Sequence, residues 1–242
     1  MTGSDVWLRA EYEFAGLFSY RLPDHSSHHA RSAPMPGPSA VKLALTATAM
    51  EANSSVTFGE RLFYLVRDAA VGLQPPETIA MSQVFLRQLK PAHDGRLISS
   101  FGMREYVHLG GPMAIYLRVS PAAADVVADT MRRLRRIGTA ESLLQCLSVR
   151  KETPDPTMIA RPALDFTSVS TLQDLARRPV FRLKDIHRGT SFAEVNPFVK
   201  ERASDAFRAE IYLFPMRIGR QGPNWTLYRR EPFLVGEAGV RD

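Results

Sequence analysis

Cysteine is almost absent. The single thiol, Cys146, excludes an internal disulfide and leaves no cysteine set for a structural zinc, so a reducing cytoplasm is the simplest setting. Long apolar runs are missing too: stretches such as Leu62–Val66 and Met113–Leu117 fall far short of the ~20 residues that cross a bilayer, and the chain is expected not to be an integral membrane protein. Met1-Thr2-Gly3-Ser4-Asp5 has no basic segment followed by an apolar one, so no secretory signal is expected. There is no Gly-rich loop ending in Gly-Lys-Ser/Thr and no Gly-x-Ser-x-Gly elbow. No cofactor and no metal are therefore expected.

What is present is an ordinary globular composition, 45% hydrophobic and 23% charged over 242 residues, enough for one large or two small domains around a buried core. Lys plus Arg total 31 against 25 Asp plus Glu, a net +6 that suits a polyanionic partner. The excess is concentrated. Residues 131–151 carry Arg132, Arg133, Arg135, Arg136, Arg150 and Lys151 against Glu141, and residues 84–104 carry Arg87, Lys90, Arg96 and Arg104 against Asp94.

Period-two alternation over Val6–Phe14 predicts a first strand, and the Pro-, Ser- and His-rich stretch 22–37 predicts an exposed loop. Pro38, followed by Val41, Ala44, Leu45 and Thr48, predicts a helix over 38–51. Thr57 and Glu60 in capping-box spacing predict a second helix over 58–71. Residues 79–90 and 96–109 read as a long hairpin turning at Pro91–Gly95, and 113–119 as a strand. Ser120 and Pro121 open a helix with Ala123, Val126, Val127, Thr130 and Leu134 as its stripe, stopped by Gly138. A strand follows over 143–149, with Leu143, Leu147 and Val149 on one face and Leu144 and Cys146 on the other. The order strand, helix, strand or hairpin, strand, helix, strand is a ferredoxin-like α+β pattern with an inserted helix and a long hairpin. It defines an expected domain over 1–151 with a thumb-like hairpin at about 84–108. After a linker, a smaller β-rich region over 158–235 is expected, with strands at 209–218 and 225–230 and a frayed tail over 236–242.

Two constellations carry chemistry. Helical geometry would place Arg132, Arg133, Arg135 and Arg136 on the side opposite Leu134, a basic ridge that serves either as a solvated face or as a phosphate contact. The hairpin mixes Arg87, Lys90, Arg96 and Arg104 with Phe101, Tyr106 and His108, a combination that can grip single-stranded RNA by pairing phosphates and stacking on bases. His25, His28 and His29 lie in a Ser-rich loop without a carboxylate cluster and read as surface residues rather than ligands. Cys146 reads as a small core residue.

Three segments, in order, resemble the CRISPR-associated Cas-five family, a RAMP subunit of type I Cascade surveillance complexes. Pro34-Met-Pro-Gly-Pro38-Ser39-Ala40-Val41-Lys42-Leu43 resembles that family's Pro-rich loop running into its first helix. Arg104-Glu105-Tyr106-Val107 followed by Met113–Val119 is similar to the strand pair after its thumb. Arg136-Ile137-Gly138-Thr139-Ala140-Glu141-Ser142 resembles the turn before its last ferredoxin-type strand. The chain departs from the family at Lys42 and Leu43, where a Gly is common, and at Leu109-Gly110-Gly111, where an Asp-Ala is common. It also lacks the adjacent Lys-His of the branch that cuts precursor RNA.

The resemblance implies an RRM-like RAMP domain and a non-catalytic subunit that caps the 5′ handle of the crRNA in antiviral defence. Its implied partners are that RNA and the Cascade backbone and large subunits, with target DNA left open and no membrane. Arg31, Ser39 and Lys42 are then candidate handle contacts, since a helix start offers free N–H groups to an anion. Arg87, Lys90, Arg96 and Arg104 are the thumb candidates, with Tyr106, His108, Arg132 and Arg136 as further RNA contacts. The alternative is a metal-independent endoribonuclease using His29, His93 or His108 as base with Tyr106 or a lysine as helper.

Overall fold

A computed structural model describes residues 4–26, 29–163, 176–196 and 205–234. The alternating segment forms β1 (Val6–Phe14), whose Leu8, Ala10 and Tyr12 point into the core. Short strands β2 (Tyr20–Arg21), β3 (His29–Ala30) and β4 (Ser32–Ala33) precede helices α1 (Pro38–Asn53) and α2 (Val56–Val66). Next come β5 (Val71–Gln74), the long hairpin β6 (Thr78–Pro91) and β7 (Leu97–Gly110), and β8 (Met113–Val119). A 3-10 turn over Pro121–Ala123 leads into α3 (Ala124–Arg133), followed by β9 (Leu144–Lys151). The remainder holds β10 (Arg161–Pro162), β11 (Val180–Ile186), α4 (Phe192–Val195), β12 (Phe207–Leu213), β13 (Met216–Gly222) and β14 (Trp225–Arg230).

The fold is mixed α/β, with mostly antiparallel sheets and few helices. One sheet has the order β5-β8-β1-β9 and every neighbour in it is antiparallel. Side chains from α1 and α3, including Val41, Leu45, Val127 and Met131, share one apolar cluster with Leu8 and Ile115 of this sheet. On the opposite face Trp7, Ala114 and Tyr116 pack with Ile159, so the segment after β9 covers part of that face.

Several sequence expectations are corrected by tertiary contacts. The 22–37 loop is not uniformly exposed: residues 32–36 are buried. The Ser32 N–H donates to the buried Glu105 carboxylate at 2.8 Å, and the Ser32 hydroxyl accepts from the Tyr20 N–H at 2.8 Å. Helix α2 starts and stops earlier than its periodicity predicts. Its N-cap is Ser55, with no side-chain cap bond, and residues 71–74 are taken by β5, which pairs with β8. The basic ridge is not a helical face. α3 ends at Arg133, and Leu134 is extended (φ −62°, ψ 124°) because Leu134 and Ile137 both turn into the core. In β9 a register shift opposite Glu11/Tyr12 bulges Leu147 outward, so Cys146 and Val149 both pack on the core while Leu143 and Leu147 are exposed.

The C-terminal strand expected over 209–218 is two strands, divided at buried Phe214, whose ring meets Phe181 edge-on at 5.5 Å. β14 pairs antiparallel with β6, giving a five-stranded sheet of order β13-β14-β6-β7-β3. Phe181, Leu183, Tyr212, Phe214, Met216 and Tyr228 belong to the same apolar cluster as Leu8 and Ile115. The boundary placed between 151 and 158 divides the sequence, while the strands beyond it complete the core begun before it. Residues 236–242 lie outside the described residues.

Candidate nucleic-acid interface

An open groove of about 990 Å³ runs beside α1. One wall is the helix, from Ser39 in its first turn to Glu51 in its last; alanines at 40, 44 and 47 leave the channel wide. The facing wall carries Arg133, Arg135 and Arg136, with Lys184 of β11 at one end. Local folding explains this wall. Once α3 stops, the Arg135 carbonyl accepts from the Leu144 N–H at 2.9 Å and Arg136 bridges to Leu143, which turns the arginines outward while Leu134 and Ile137 turn in. The turn beyond them rests on Tyr20. Its hydroxyl donates to the Ile137 carbonyl at 2.6 Å, and its ring occupies the space a side chain at Gly138 would need, where φ is +77°.

Arg133 pairs with Asp129 at 2.8 Å and Arg136 with Glu51 at 3.1 Å, all four side chains being solvent-exposed. Such pairs contribute only ~0–1 kcal/mol, so a phosphate can displace the carboxylate at little cost. Arg135 and Lys184 have no ion pair among the described residues. The groove thus offers four cations spread along its length, with Lys184 toward the start of α1 and Arg136 at its last turn, an arrangement that binds anions spaced along a chain.

The hairpin extends in unbroken register from Thr78 opposite Gly110 to Pro91 opposite Leu97. Residues opposite each other share a face, and this splits the thumb candidates. Arg87 lies on the face with Phe85 and Phe101, its guanidinium 5.9 Å from the Phe101 ring and bonded to Ser99 Oγ at 2.9 Å. Lys90, Arg104, Tyr106 and His108 lie on the other face. Beyond the hairpin's buried base, apolar side chains stand exposed on both faces: Phe85 and Phe101 stack at 5.5 Å while remaining 65% and 53% exposed, and Leu89, Leu97 and Ile98 are also exposed. Arg96, in the tip, pairs with Asp94 at 2.6 Å, and Arg104 lies 3.9 Å from Glu141.

Among the handle candidates, Ser39 reaches the groove and Arg31 is half-exposed, 3.9 Å from Glu105. Lys42 is a correction. Its side chain is 1% exposed, and its ammonium donates to both Asp185 oxygens at 2.8 and 3.0 Å and to the Arg67 carbonyl at 2.8 Å, so it braces α1 against β11 rather than facing a ligand. The departure from the family's glycine at this position thus fills a buried site. Arg136 lines the α1 groove, whereas Arg132 lines a shallower depression with Leu134 and Leu144. Sequence reading did not place Lys184 in the site, because only tertiary packing brings it to α1. His25, His93 and His108 sit in a loop, at the hairpin tip and near the hairpin base; His28 lies outside the described residues. Among the described residues no group of three or more His, Cys, Asp or Glu side chains converges to hold a metal ion, and no helix is long and apolar enough to cross a membrane.

No protein-family model matches the chain. A curated relative, CRISPR-associated protein Cas5 of Archaeoglobus fulgidus, is 34% identical over 229 residues, covering 91% of this chain and 97% of that protein. Among solved structures, a CRISPR protein from Archaeoglobus fulgidus is similar at 15% identity and a TM-score of 0.49, over 96% of this chain and 92% of that one. A chain of a CRISPR RNA-guided surveillance complex is similar at 13% identity and a TM-score of 0.35, over 98% and 95%. With an identity of 34% sustained across nearly the whole of both proteins, this chain belongs to the CRISPR-associated Cas5 family.

Proposed function

We propose that the chain is a non-catalytic subunit of a type I CRISPR Cascade complex, working in the cytoplasm, that holds the 5′ handle of the crRNA and reaches with its thumb toward the first backbone subunit. The observation that carries this reading is the α1 groove, which Lys184 lines near the start of the helix and Arg133, Arg135 and Arg136 line along the facing wall, with Arg136 reaching Glu51 in the helix's last turn. Cations arranged along a channel suit the phosphates of a strand better than one small anion. The antiparallel sheet of β5, β8, β1 and β9, reached in the order strand, helix, two strands, helix, strand, supports a ferredoxin-like RAMP core with α2 and the thumb as additions. The exposed apolar residues of the distal hairpin support a protein partner there, since a surface of this kind ordinarily marks an interaction site. The large subunit and target DNA complete the set of partners.

The non-catalytic part of the reading is supported at two of the three candidate bases: the His93 and His108 side chains have no hydrogen bond or ion pair among the described residues, whereas a general base is held by a partner within hydrogen-bond reach. Co-expression with the other Cascade subunits and a repeat-spacer array tests the whole. Reversing Arg135 and Arg136 to Glu is expected to lower crRNA recovery at least about tenfold. Full-length repeat RNA incubated with the purified chain and a chelator is expected to stay intact. Site-specific cleavage abolished by His108→Ala would instead establish the endoribonuclease alternative.

A further inference from the structure

The five-stranded sheet buries one face, with Ile79, Met81, Val107, Leu109 and Tyr228 in the core, and leaves the other to solvent. Register fixes what that outer face carries. Trp225, Ser82 and Tyr106 lie side by side across three strands, and two residues further along come Leu227, Ala80 and His108. Arg229 follows on β14, and β13 adds Arg220 opposite Leu227 and Arg217 opposite Arg229. No Asp or Glu occupies an outward position on these strands between Arg104 and Arg217. Arg220 and Arg229 have no ion pair among the described residues, whereas Arg217 is held by Glu231 at 2.7 Å.

Two glycines shape the surface. A Cβ at Gly222 would come within 2.3 Å of the Trp225 indole nitrogen, and one at Gly219 within 3.1 Å of Arg229 Cγ, so each of these side chains lies across a position that has none. The indole is thereby held down against the sheet and remains 38% exposed. The small Ser82 separates it from Tyr106. At its edge this face adjoins the α1 groove, through Arg104 and its neighbour Glu141 in the turn that ends the groove's basic wall.

We propose that this outer face is a second binding site, a stacking platform on which bases of single-stranded nucleic acid rest on Trp225 and Tyr106 while Arg220 and Arg229 hold the flanking phosphates. Aromatic faces beside two cations without ion pairs, with acidic side chains only at the edges, at Glu141 and Glu231, suit a strand whose bases are free to splay rather than a duplex. The choice of nucleic acid rests on the reading of the α1 groove, but the site uses different residues and different chemistry from that groove.

The test uses the full chain carrying Trp7→Phe, which leaves Trp225 as its one indole. Single-stranded RNA and DNA of about 12 nucleotides, end-labelled, are titrated at about 100 mM salt, with a duplex of the same sequence as control. Binding is followed by anisotropy of the label and by Trp225 emission. Saturable quenching by RNA, by DNA or by both supports the site and identifies the strand that occupies it. Trp225→Ala is expected to weaken binding about 5- to 100-fold, while Trp225→Phe, which keeps a ring, stays within about 3-fold. Arg220→Gln, at an exposed position, should lower the salt slope by about one. Strand binding that leaves Trp225 emission unchanged, or equal affinity of a folded Trp225→Ala chain, overturns the platform; if Arg135 and Arg136 still matter in that case, the groove reading survives it. Absence of binding by either strand overturns both.

Discussion

The ammonium of Lys42, buried beneath α1, bonds both oxygens of Asp185 and the Arg67 carbonyl. Burial lowers its pKa, and the adjacent Asp185 carboxylate opposes that shift. The pair is a cross-brace between α1 and β11, so Lys42→Ala is expected to cost about 3–5 kcal/mol by leaving Asp185 without its partner. Urea unfolding measures that loss, and the folded fraction should bind RNA as the parent chain does. Two tyrosines give a signed pH dependence. Burial holds the Tyr12 and Tyr20 hydroxyls protonated well beyond the usual phenol range, while each donates to a backbone carbonyl. Below a pH of about 10 both states are neutral and this contribution is intact. Above it the unfolded chain ionises first, and stability falls as pH rises. Thermal melts between about pH 9 and 11 should show the decline, and Tyr20→Phe should make it shallower. Residue type made a cation at 42 legible in the sequence; its burial was not, because Asp185 comes from a strand far along the chain.

The thumb is the element that sequence reads best. Its arms were expected over 79–90 and 96–109 and run over 78–91 and 97–110, because alternation and the Pro91–Gly95 turn are local signals. Its chemistry was only half legible: a list of cations and aromatics does not say which face each occupies, and register assigns Arg87 to one and Arg104, Tyr106 and His108 to the other. The arginine ridge departs from helical periodicity for a related reason, since burial of Leu134 and Ile137 pulls the chain straight past Arg133. Because Phe85 and Phe101 are exposed in this chain, replacing both with Ser should shift the melting temperature by no more than about 2 °C. The same variant should lose association with the backbone subunit in a pull-down from the co-expressed complex. Retained association would place the partner elsewhere.

At the scale of the whole molecule, the strands after residue 158 share the core of those before it, and β14 is hydrogen-bonded along β6. Pairing between segments so distant in sequence leaves no local pattern, which is why the C-terminal region read as a separate small unit. A chain ending at residue 205 lacks β12, β13 and β14, uncovers Phe181 and Ile79, and is expected to lose its cooperative thermal transition; the full chain should melt in one. The central claim is that this single body presents a basic channel shaped for the leading end of one RNA. Sequencing the RNA that co-purifies with the co-expressed complex tests it most directly. The expected result is a shared 5′ sequence on nearly every molecule, lost when Arg135 and Arg136 are reversed to Glu. Heterogeneous 5′ ends, or the same RNA held equally well by the reversed variant, would contradict it.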